Sequence, residues 1–214
     1  MRSTHPVPGD PWPRDMVISV EDRPHAADEM LWVREAYGLE IEGDVPPRLT
    51  DTPAPAGREL TTAEHSRWVA VWPVLWGHVI EHAGRPTDHA AMERLMDRDL
   101  PTDERHSLLA QVTGPSWRDE FGDAVFDDPS YRAWQDRSFE ASRTGRHLPL
   151  DEQPERRDLD ALVPAWRRGL ERIVVLACRG TYVRTLGSRA LLVTTAVREE
   201  SPAYRAALAS FTPH

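Results

Sequence analysis

The core of this protein is set by residues 61–84, TTAEHSRWVAVWPVLWGHVIEHAG. Trp68, Trp72 and Trp76 recur at four-residue intervals, so on an α-helix the three indoles lie along one slowly drifting stripe. Each buried aromatic ring removes a large apolar area from water. The stripe therefore predicts a long helix at the centre of the hydrophobic core.

Local signals mark the ends and the middle of this helix. Thr61 and Glu64 fit a capping box, in which each side chain bonds the backbone of the other, so the helix is predicted to begin there. Gly84 predicts its end. Pro73 lies inside the segment, where proline removes a backbone hydrogen bond, and it predicts a kink or a break near Val71.

The composition is that of an acidic, globular chain. It has 214 residues, 40% of them hydrophobic and 29% charged, with eight tryptophans and a formal net charge of −9. A negative chain is repelled by nucleic acid and by anionic membranes, so neither is an expected partner. The chain contains no Lys and no Asn, which is typical of a GC-rich bacterial genome, so its many arginines are not a nucleic-acid signal.

Several features predict a cytoplasmic protein. The single cysteine, Cys178, excludes an internal disulfide framework, fits a reducing compartment and is expected to be a buried structural thiol. No apolar run approaches the roughly 20 residues that span a bilayer, and the beginning of the chain lacks the apolar region of a secretory signal. Residues 1–14 are expected to form a disordered tail, and residues 15–214 a single globular domain.

The predicted fold is a mostly helical α+β domain. Helical signals recur through most of the chain, whereas strand signals concentrate in residues 172–178, 181–186 and 190–197. Short glycine-containing links separate these runs, which predicts a small C-terminal three-stranded antiparallel meander. A terminal helix is expected to begin at Ser201, with Pro202 in its first turn.

Two segments that precede the tryptophan helix are less regular. Met16–Val20 has the composition of a short strand. Residues 39–58 are rich in Pro, Gly and Asp and lack periodicity, so they predict a long surface loop. Loops of this length are uncommon in compact domains, so this one is either functional or packed as extended chain.

The one arrangement that predicts catalysis lies on the tryptophan helix. His78, Glu81 and His82 share a helix face, where two imidazoles can chelate zinc while the glutamate takes a proton from the bound water. The pattern H-x-x-E-H resembles that of the inverzincin metallopeptidases, and the resemblance covers these five residues. The candidates for a third zinc ligand are His89, Glu93 and Asp88, with His89 preferred. The alternative is a polar helix end, where cationic His suits the helix dipole.

The second candidate site is electrostatic. Residues 161–198 contain seven arginines and one acid, a net charge of +6, which leaves −15 on the remainder of a chain of −9. Arg184 and Arg189, beside Tyr182 on a predicted hairpin, could contact phosphate, as in a nucleic-acid-binding module. The alternative is that the acidic remainder neutralises this segment within the molecule, and the negative whole-chain charge favours it.

These observations together favour a protein-interaction function. The sequence has no glycine-rich phosphate loop, no C-x-x-C pair and no G-x-S-x-G elbow. The leading hypothesis is therefore a cytosolic accessory or protein-interaction domain without chemistry of its own, whose partner is another protein. One alternative is a small zinc-dependent hydrolase with Glu81 as the catalytic base and His78, His82 and His89 as metal ligands. The second alternative is a nucleic-acid-binding module that uses the basic C-terminal hairpins.

Overall fold

A computed structural model describes residues 11–144 and 148–213 as a mostly helical α+β fold, as predicted. The strands of its sheet are β1 Ser19–Glu21, β2 Arg172–Leu176, β3 Val183–Leu186 and β4 Ala190–Thr194. The helices are α1 His25–Ala36, α2 Thr62–Ala83, α3 His89–Leu95, α4 Thr102–Thr113, α5 Trp117–Phe121, α6 Pro129–Thr144, α7 Pro154–Arg157, α8 Leu159–Arg167, α9 Thr195–Glu199 and α10 Ser201–Ser210. Helix α10 is the predicted terminal helix.

The sheet corrects the predicted strand arrangement. Its order is β1-β2-β4-β3, and β2 lies parallel to both β1 and β4, with Val174 opposite Leu192. Among the strands of the described residues, β3 and β4 alone pair in the antiparallel sense. The predicted three-stranded antiparallel meander is therefore wrong. Arg179-Gly180 is not a hairpin turn, because the chain that leaves β2 crosses to the far side of β4.

The burial of the strands explains this error. Every residue of β4 and all but the first residue of β2 are buried, as in central strands that are covered on both faces. Periodicity reports burial and not the pairing partner, so such runs look alike in parallel and antiparallel sheets. Strand β1 shares Ser19 and Val20 with the predicted strand Met16–Val20.

Helices cover both faces of the sheet and divide the hydrophobic core in two. Side chains of β2 alternate between the faces, with Val174 and Leu176 on one side and Ile173 and Val175 on the other. The first core lies between the sheet and α1, α2, α5 and α6 and contains the tryptophan stripe. The second core lies between the sheet and α8, α9 and α10. The arrangement has three layers, helix on sheet on helix.

Helix α2 begins as predicted and continues through Pro73 without a break. In its capping box, the backbone N–H of Glu64 donates to the Thr61 hydroxyl, and the N–H of Thr61 donates to the Glu64 carboxylate at 2.9 Å. Pro73 is exposed, so water can satisfy the carbonyl that it leaves without a partner. The indoles of Trp72 and Trp76 stack with their centroids 5.2 Å apart.

Two predicted irregular segments contribute buried residues. Of the predicted tail, residues 1–10 lie outside the described part of the chain, and Trp12 is buried in the second core. Residues 39–58 pack as extended chain, and Leu49 pairs with Cys178 in an isolated antiparallel bridge. Both Leu49 and Cys178 are 1% exposed. Leu39 and Leu49 of this segment therefore belong to the first core.

A buried glutamate joins α5 and α6 to α1. Glu29 is 2% exposed, and its carboxylate accepts hydrogen bonds from the guanidinium of Arg118 and, at 2.9 Å, from the hydroxyl of Tyr131. Arg118 also pairs with Asp123 at 2.6 Å. Burial and the neighbouring carboxylate raise the pKa of Tyr131. We call Glu29, Arg118 and Tyr131 the Glu29 cluster.

A cluster of the same composition lies at the second core. Glu155 is fully buried and accepts two hydrogen bonds of 2.8 Å from Arg198 and one of 3.0 Å from the hydroxyl of Tyr204. These bonds join α7, α9 and α10. Burial, together with the Glu155 carboxylate, raises the pKa of Tyr204 well above its usual range. We call Glu155, Arg198 and Tyr204 the Glu155 cluster.

Candidate functional site

The four residues predicted to form a zinc site are spread over α2 and α3. His78 and Glu81 are exposed on α2. The Nε2 atom of His82 lies 3.1 Å from the backbone carbonyl oxygen of Gln111 in α4. His89 is the exposed first residue of α3. His78, Glu81 and His89 are thus exposed to solvent, whereas His82 contacts α4.

The described residues offer no complete ligand set for a metal. Within 11–144 and 148–213, no group of three or more His, Cys, Asp or Glu residues is placed to hold a metal ion. A catalytic zinc needs three protein ligands, so zinc binding gains no support from the geometry and stays a prediction. Elemental analysis of the purified protein beside a His78→Ala/His82→Ala variant tests it, since about one equivalent of zinc lost in the variant would restore the hydrolase hypothesis.

His82 has a structural environment on its inner side. A Cβ atom added at Gly114 would lie 2.3 Å from the His82 imidazole, and the φ of Gly114 is +68°. The side-chain amide of Gln111 donates to the carboxylate of Asp88 at 2.7 Å. These contacts attach the end of α4 both to α2 and to the beginning of α3.

The arginines of residues 161–198 are mostly engaged within the chain. Three form ion pairs, Arg184 with Asp44, Arg189 with Glu171 and Arg198 with Glu155. Three donate to backbone carbonyls, Arg168 to Leu208 and Phe211, Arg172 to Ala83 and Arg179 to Thr50. Several of these carbonyls lie at helix ends, where the helix itself provides no donor. These contacts are those expected when the arginines are bonded within the molecule, and nucleic-acid binding stays a prediction.

Cys178 is placed as a structural thiol. It is 1% exposed, and burial raises the pKa of its thiol to about 12. A nucleophilic cysteine needs an accessible thiolate at neutral pH. Cys178 is protonated at that pH and closed off from solvent, so it contributes packing to the first core.

Asp28 is a titratable residue that the sequence did not single out. It lies in the first turn of α1, and burial raises the pKa of its carboxyl from 3.8 to about 7. Arg23 opposes this effect, whereas the nearby carboxylates of Glu21 and Glu29 add to it. Asp28 therefore titrates near neutral pH and makes the stability of the fold sensitive to pH.

A surface that the sequence did not predict lies on residues 89–113, which we call the α3–α4 hairpin. Its helices run antiparallel: Arg94 forms an ion pair with Glu104, and the guanidinium of Arg105 donates to the carbonyl of Leu95 at 3.0 Å. No residue of α4, which the structure describes completely, is buried. In α3, Ala91 is the single buried residue. The hairpin therefore contributes little to either core.

Large apolar side chains of the hairpin face solvent instead. Met92 is 47% exposed, Met96 is 82% exposed and Leu109 is 42% exposed. Exposed apolar residues scattered singly are normal on soluble proteins, so their relative placement decides whether they matter.

The geometry of the helix pair places the three side chains on one side. Each follows a less exposed residue, as expected of positions that face the partner helix, and these inner residues are Ala91, Leu95 and Leu108. In an antiparallel pair, the residues that follow the inner positions point to the same side of both helices. Arg94 precedes the inner Leu95, and Glu104 precedes Arg105, which reaches the carbonyl of Leu95; Arg94 and Glu104 form their ion pair on the opposite side. We call Met92, Met96 and Leu109 the apolar ridge.

Comparison of the chain with protein-family models, with curated proteins and with solved structures returned no match. Among the helices of the described residues, none combines the length and the apolar character that crossing a membrane requires. The function is therefore inferred from the surface and its chemistry alone.

Proposed function

We propose that this chain is an accessory domain that binds another protein through the apolar ridge and has no chemistry of its own. The observation that carries the proposal is the exposure of Met92, Met96 and Leu109 on one side of a helix pair that buries almost nothing. A helix pair with no role in the core loses little stability when it presents apolar side chains to a partner.

The composition of the ridge suits binding. Methionine is unbranched and polarisable, so its side chain adapts to differently shaped partner surfaces. Met92 and Met96 lie one helical turn apart, and Leu109 reaches the same side from α4. Two adjacent helices with such side chains form a shallow apolar surface, against which the apolar face of an amphipathic helix can pack.

The size of the ridge favours a single helix of another protein over a second copy of this chain. A stable protein–protein interface buries about 800 Å² on each partner, mostly from 20 or more residues. Three side chains provide only a part of that area, so a symmetric dimer on the ridge alone would be weak. An amphipathic helix concentrates its contacts on two or three anchor side chains and needs less surface.

The charge of the hairpin narrows the chemistry of the partner. Residues 89–113 contain three arginines and five acids, so the net charge is −2, and the whole chain carries −9. A helix with an apolar stripe flanked by Lys or Arg complements both the apolar ridge and the negative charge around it. The proposed partner segment is therefore a basic amphipathic helix.

Selection from a displayed library of helical peptides tests this proposal. The full-length protein is the target, and a Met92→Ser/Met96→Ser/Leu109→Ser variant is the counter-selection. We expect selected peptides to have an apolar stripe and basic flanks and to bind the parent with micromolar affinity. Their affinity for the triple variant should be lower by at least about tenfold.

The matched control is Val74→Ser, because Val74 is 62% exposed on α2 and lies outside the hairpin. It should leave peptide affinity unchanged. Peptides that bind the triple variant as well as the parent, or a parent that dimerises at micromolar concentration through the ridge, would contradict the proposed partner.

A further inference from the structure

A cleft lies beyond the amino-terminal ends of β1 and β2, and His89 at the beginning of α3 also lines it. Its volume is about 320 Å³, which falls in the range of sites for small molecules. Ser19 and Arg172 line it from the sheet, Thr87 from the segment before α3, and Trp166 from α8. The cleft therefore combines hydroxyls, a guanidinium and an aromatic wall.

The Nη1 atom of Arg172 lies between two hydroxyls that line this cleft and makes the weakest hydrogen bonds of its guanidinium. The Arg172 side chain is 12% exposed, its Nε donates to the carbonyl of Ala83 at 2.7 Å and its Nη2 donates to the carboxylate of Glu21 at 3.2 Å. Its Nη1 has only long contacts, 3.3 Å to the Thr87 hydroxyl and 3.5 Å to the Ser19 hydroxyl. These distances exceed those of strong hydrogen bonds.

The three groups around Nη1 suit a carboxylate. A carboxylate oxygen placed there would accept from Nη1 and from the hydroxyls of Ser19 and Thr87. Hydrogen bonds from a charged donor to a carboxylate are stronger than bonds between neutral groups. The fixed position of Arg172, held by Ala83 and Glu21, reduces the entropy lost when the ligand binds.

Carboxylates line the same cleft and suit an ammonium group. Asp15 is exposed, and Glu171 pairs with Arg189 at 3.0 Å in an exposed ion pair. Exposed ion pairs contribute little free energy, so Glu171 can exchange Arg189 for a ligand cation at small cost. Asp15, Glu171 and the Glu21 partner of Arg172 lie beside two arginines, so a dianion is disfavoured, whereas a ligand with both an ammonium and a carboxylate group finds a partner for each.

We infer that this cleft binds a free α-amino acid. The ligand carboxylate contacts Arg172, Ser19 and Thr87, its ammonium contacts Asp15 or Glu171, and its side chain packs on the half-buried Trp166 indole. The aromatic wall favours apolar or aromatic side chains. None of the three ridge residues lines this cleft, and no covalent step is involved.

Calorimetric titration of the full-length protein tests the inference. The probes are the twenty standard amino acids, and the two charges are tested by comparing each binder with its decarboxylated amine and its deaminated acid. The expected result is that one or more apolar or aromatic amino acids bind about tenfold more tightly than either analogue, because each analogue lacks one charge-assisted contact.

Variants locate the site without disturbing the fold. Arg172 supports the end of α2, so the variants are Thr87→Val and Asp15→Asn at exposed positions, with Asp136→Asn on the exposed surface of α6 as the control. Thr87→Val and Asp15→Asn should each weaken binding several-fold to about tenfold, and Asp136→Asn should not. Absence of binding for all twenty amino acids at about 10 mM, or affinities unchanged by both cleft variants, would overturn the inference.

Discussion

The α3–α4 hairpin differs from the rest of the described protein, which we call the body, in the side chains that it buries and exposes. In the body, the carboxylates of Glu29 and Glu155 are buried, and each is bonded by an arginine and a tyrosine. In the hairpin, apolar side chains are exposed, Met96 most of all at 82%. The body contains the buried ionic contacts that fix helix positions, whereas the hairpin is attached by polar contacts near its ends.

This difference separates stability from binding. Loss of one partner from a buried ion pair leaves an uncompensated charge inside the protein, so the body is sensitive to single substitutions. The hairpin can lose its exposed side chains without cavities or unpaired charges. We expect stability and partner binding to respond to different sets of residues.

Breaking the buried clusters should have the largest effect. Glu155→Gln and Glu29→Gln should each lower the free energy of unfolding by about 3–5 kcal/mol, because the arginine that remains is only partly compensated. Glu155→Gln should cost more, since Arg118 keeps a second acid in Asp123 whereas Arg198 has its ion pair with Glu155. Urea unfolding followed by circular dichroism measures both, and equal stability of either variant and the parent would contradict this account of the clusters.

Asp28 should make the stability of the body depend on pH. The folded-state pKa of its carboxyl is raised to about 7 from 3.8, so the folded state holds a proton that the unfolded state releases. Its contribution to stability is therefore fully present below about pH 4 and declines as pH rises toward 7. Asp28→Asn should stabilise the protein at pH 8 by at most about 4 kcal/mol and leave it nearly unchanged at pH 4.

Unfolding by urea at pH 4, 6 and 8 checks the behaviour of Asp28. Asp160→Asn is a suitable contrast, because Arg205 lowers the pKa of Asp160 and the residue is exposed, so its removal should produce no gain at pH 8. If the stability of the parent and that of Asp28→Asn changed by the same amount between pH 4 and 8, the assignment of this pH dependence to Asp28 would be wrong.

A smaller, local effect should follow from loosening the hairpin. Gly114→Ala places a Cβ against the His82 imidazole, at a backbone φ of +68° that residues other than glycine rarely adopt. The end of α4 should therefore detach from α2. Gly122→Ala has the same backbone problem at φ +77° but open space around the added carbon. Gly122→Ala should cost about 1 kcal/mol, and Gly114→Ala more, with faster amide exchange in α4. Equal exchange rates in α4 for the two variants would show that the His82 contact is unimportant.

The smallest effect on stability should come from the apolar ridge itself. Met92→Ser, Met96→Ser and Leu109→Ser should each change the free energy of unfolding by less than about 0.5 kcal/mol, because these side chains are exposed and belong to neither core. Thermal and urea unfolding provide the measurement. A loss above about 2 kcal/mol for any one of them would mean that the ridge belongs to the core and not to a binding surface.

Local sequence signals predicted the helices well and the strand pairing poorly. Thr61 and Glu64 fixed the start of α2 because a capping box involves only neighbours along the chain. The pairing of β2 with β4 depends on a crossing between them that no local residue encodes, so a meander was predicted instead. Trp12 belongs to the second core because of α8 and α10, which are more than a hundred residues away.

The sites show the same limit. His78, Glu81 and His82 share a helix face, but a third ligand must come from elsewhere in the fold, which one helix cannot predict. The seven arginines of 161–198 were visible as a charge, whereas partners such as Asp44 for Arg184 and the Ala83 carbonyl for Arg172 lie in distant segments. Met92, Met96 and Leu109 look like core residues in the sequence, and they form a surface because no element within residues 11–144 and 148–213 covers them.

Hydrogen exchange of the full-length protein, free and with a selected basic amphipathic peptide, tests the central claim most directly. The account predicts that amides of α4 exchange much faster than those of β2 and β4 in the free protein and become protected in α3 and α4 when the peptide binds. Protection confined to another region, or α4 amides as slow as those of the sheet in the free protein, would contradict the division between a stable body and a binding hairpin.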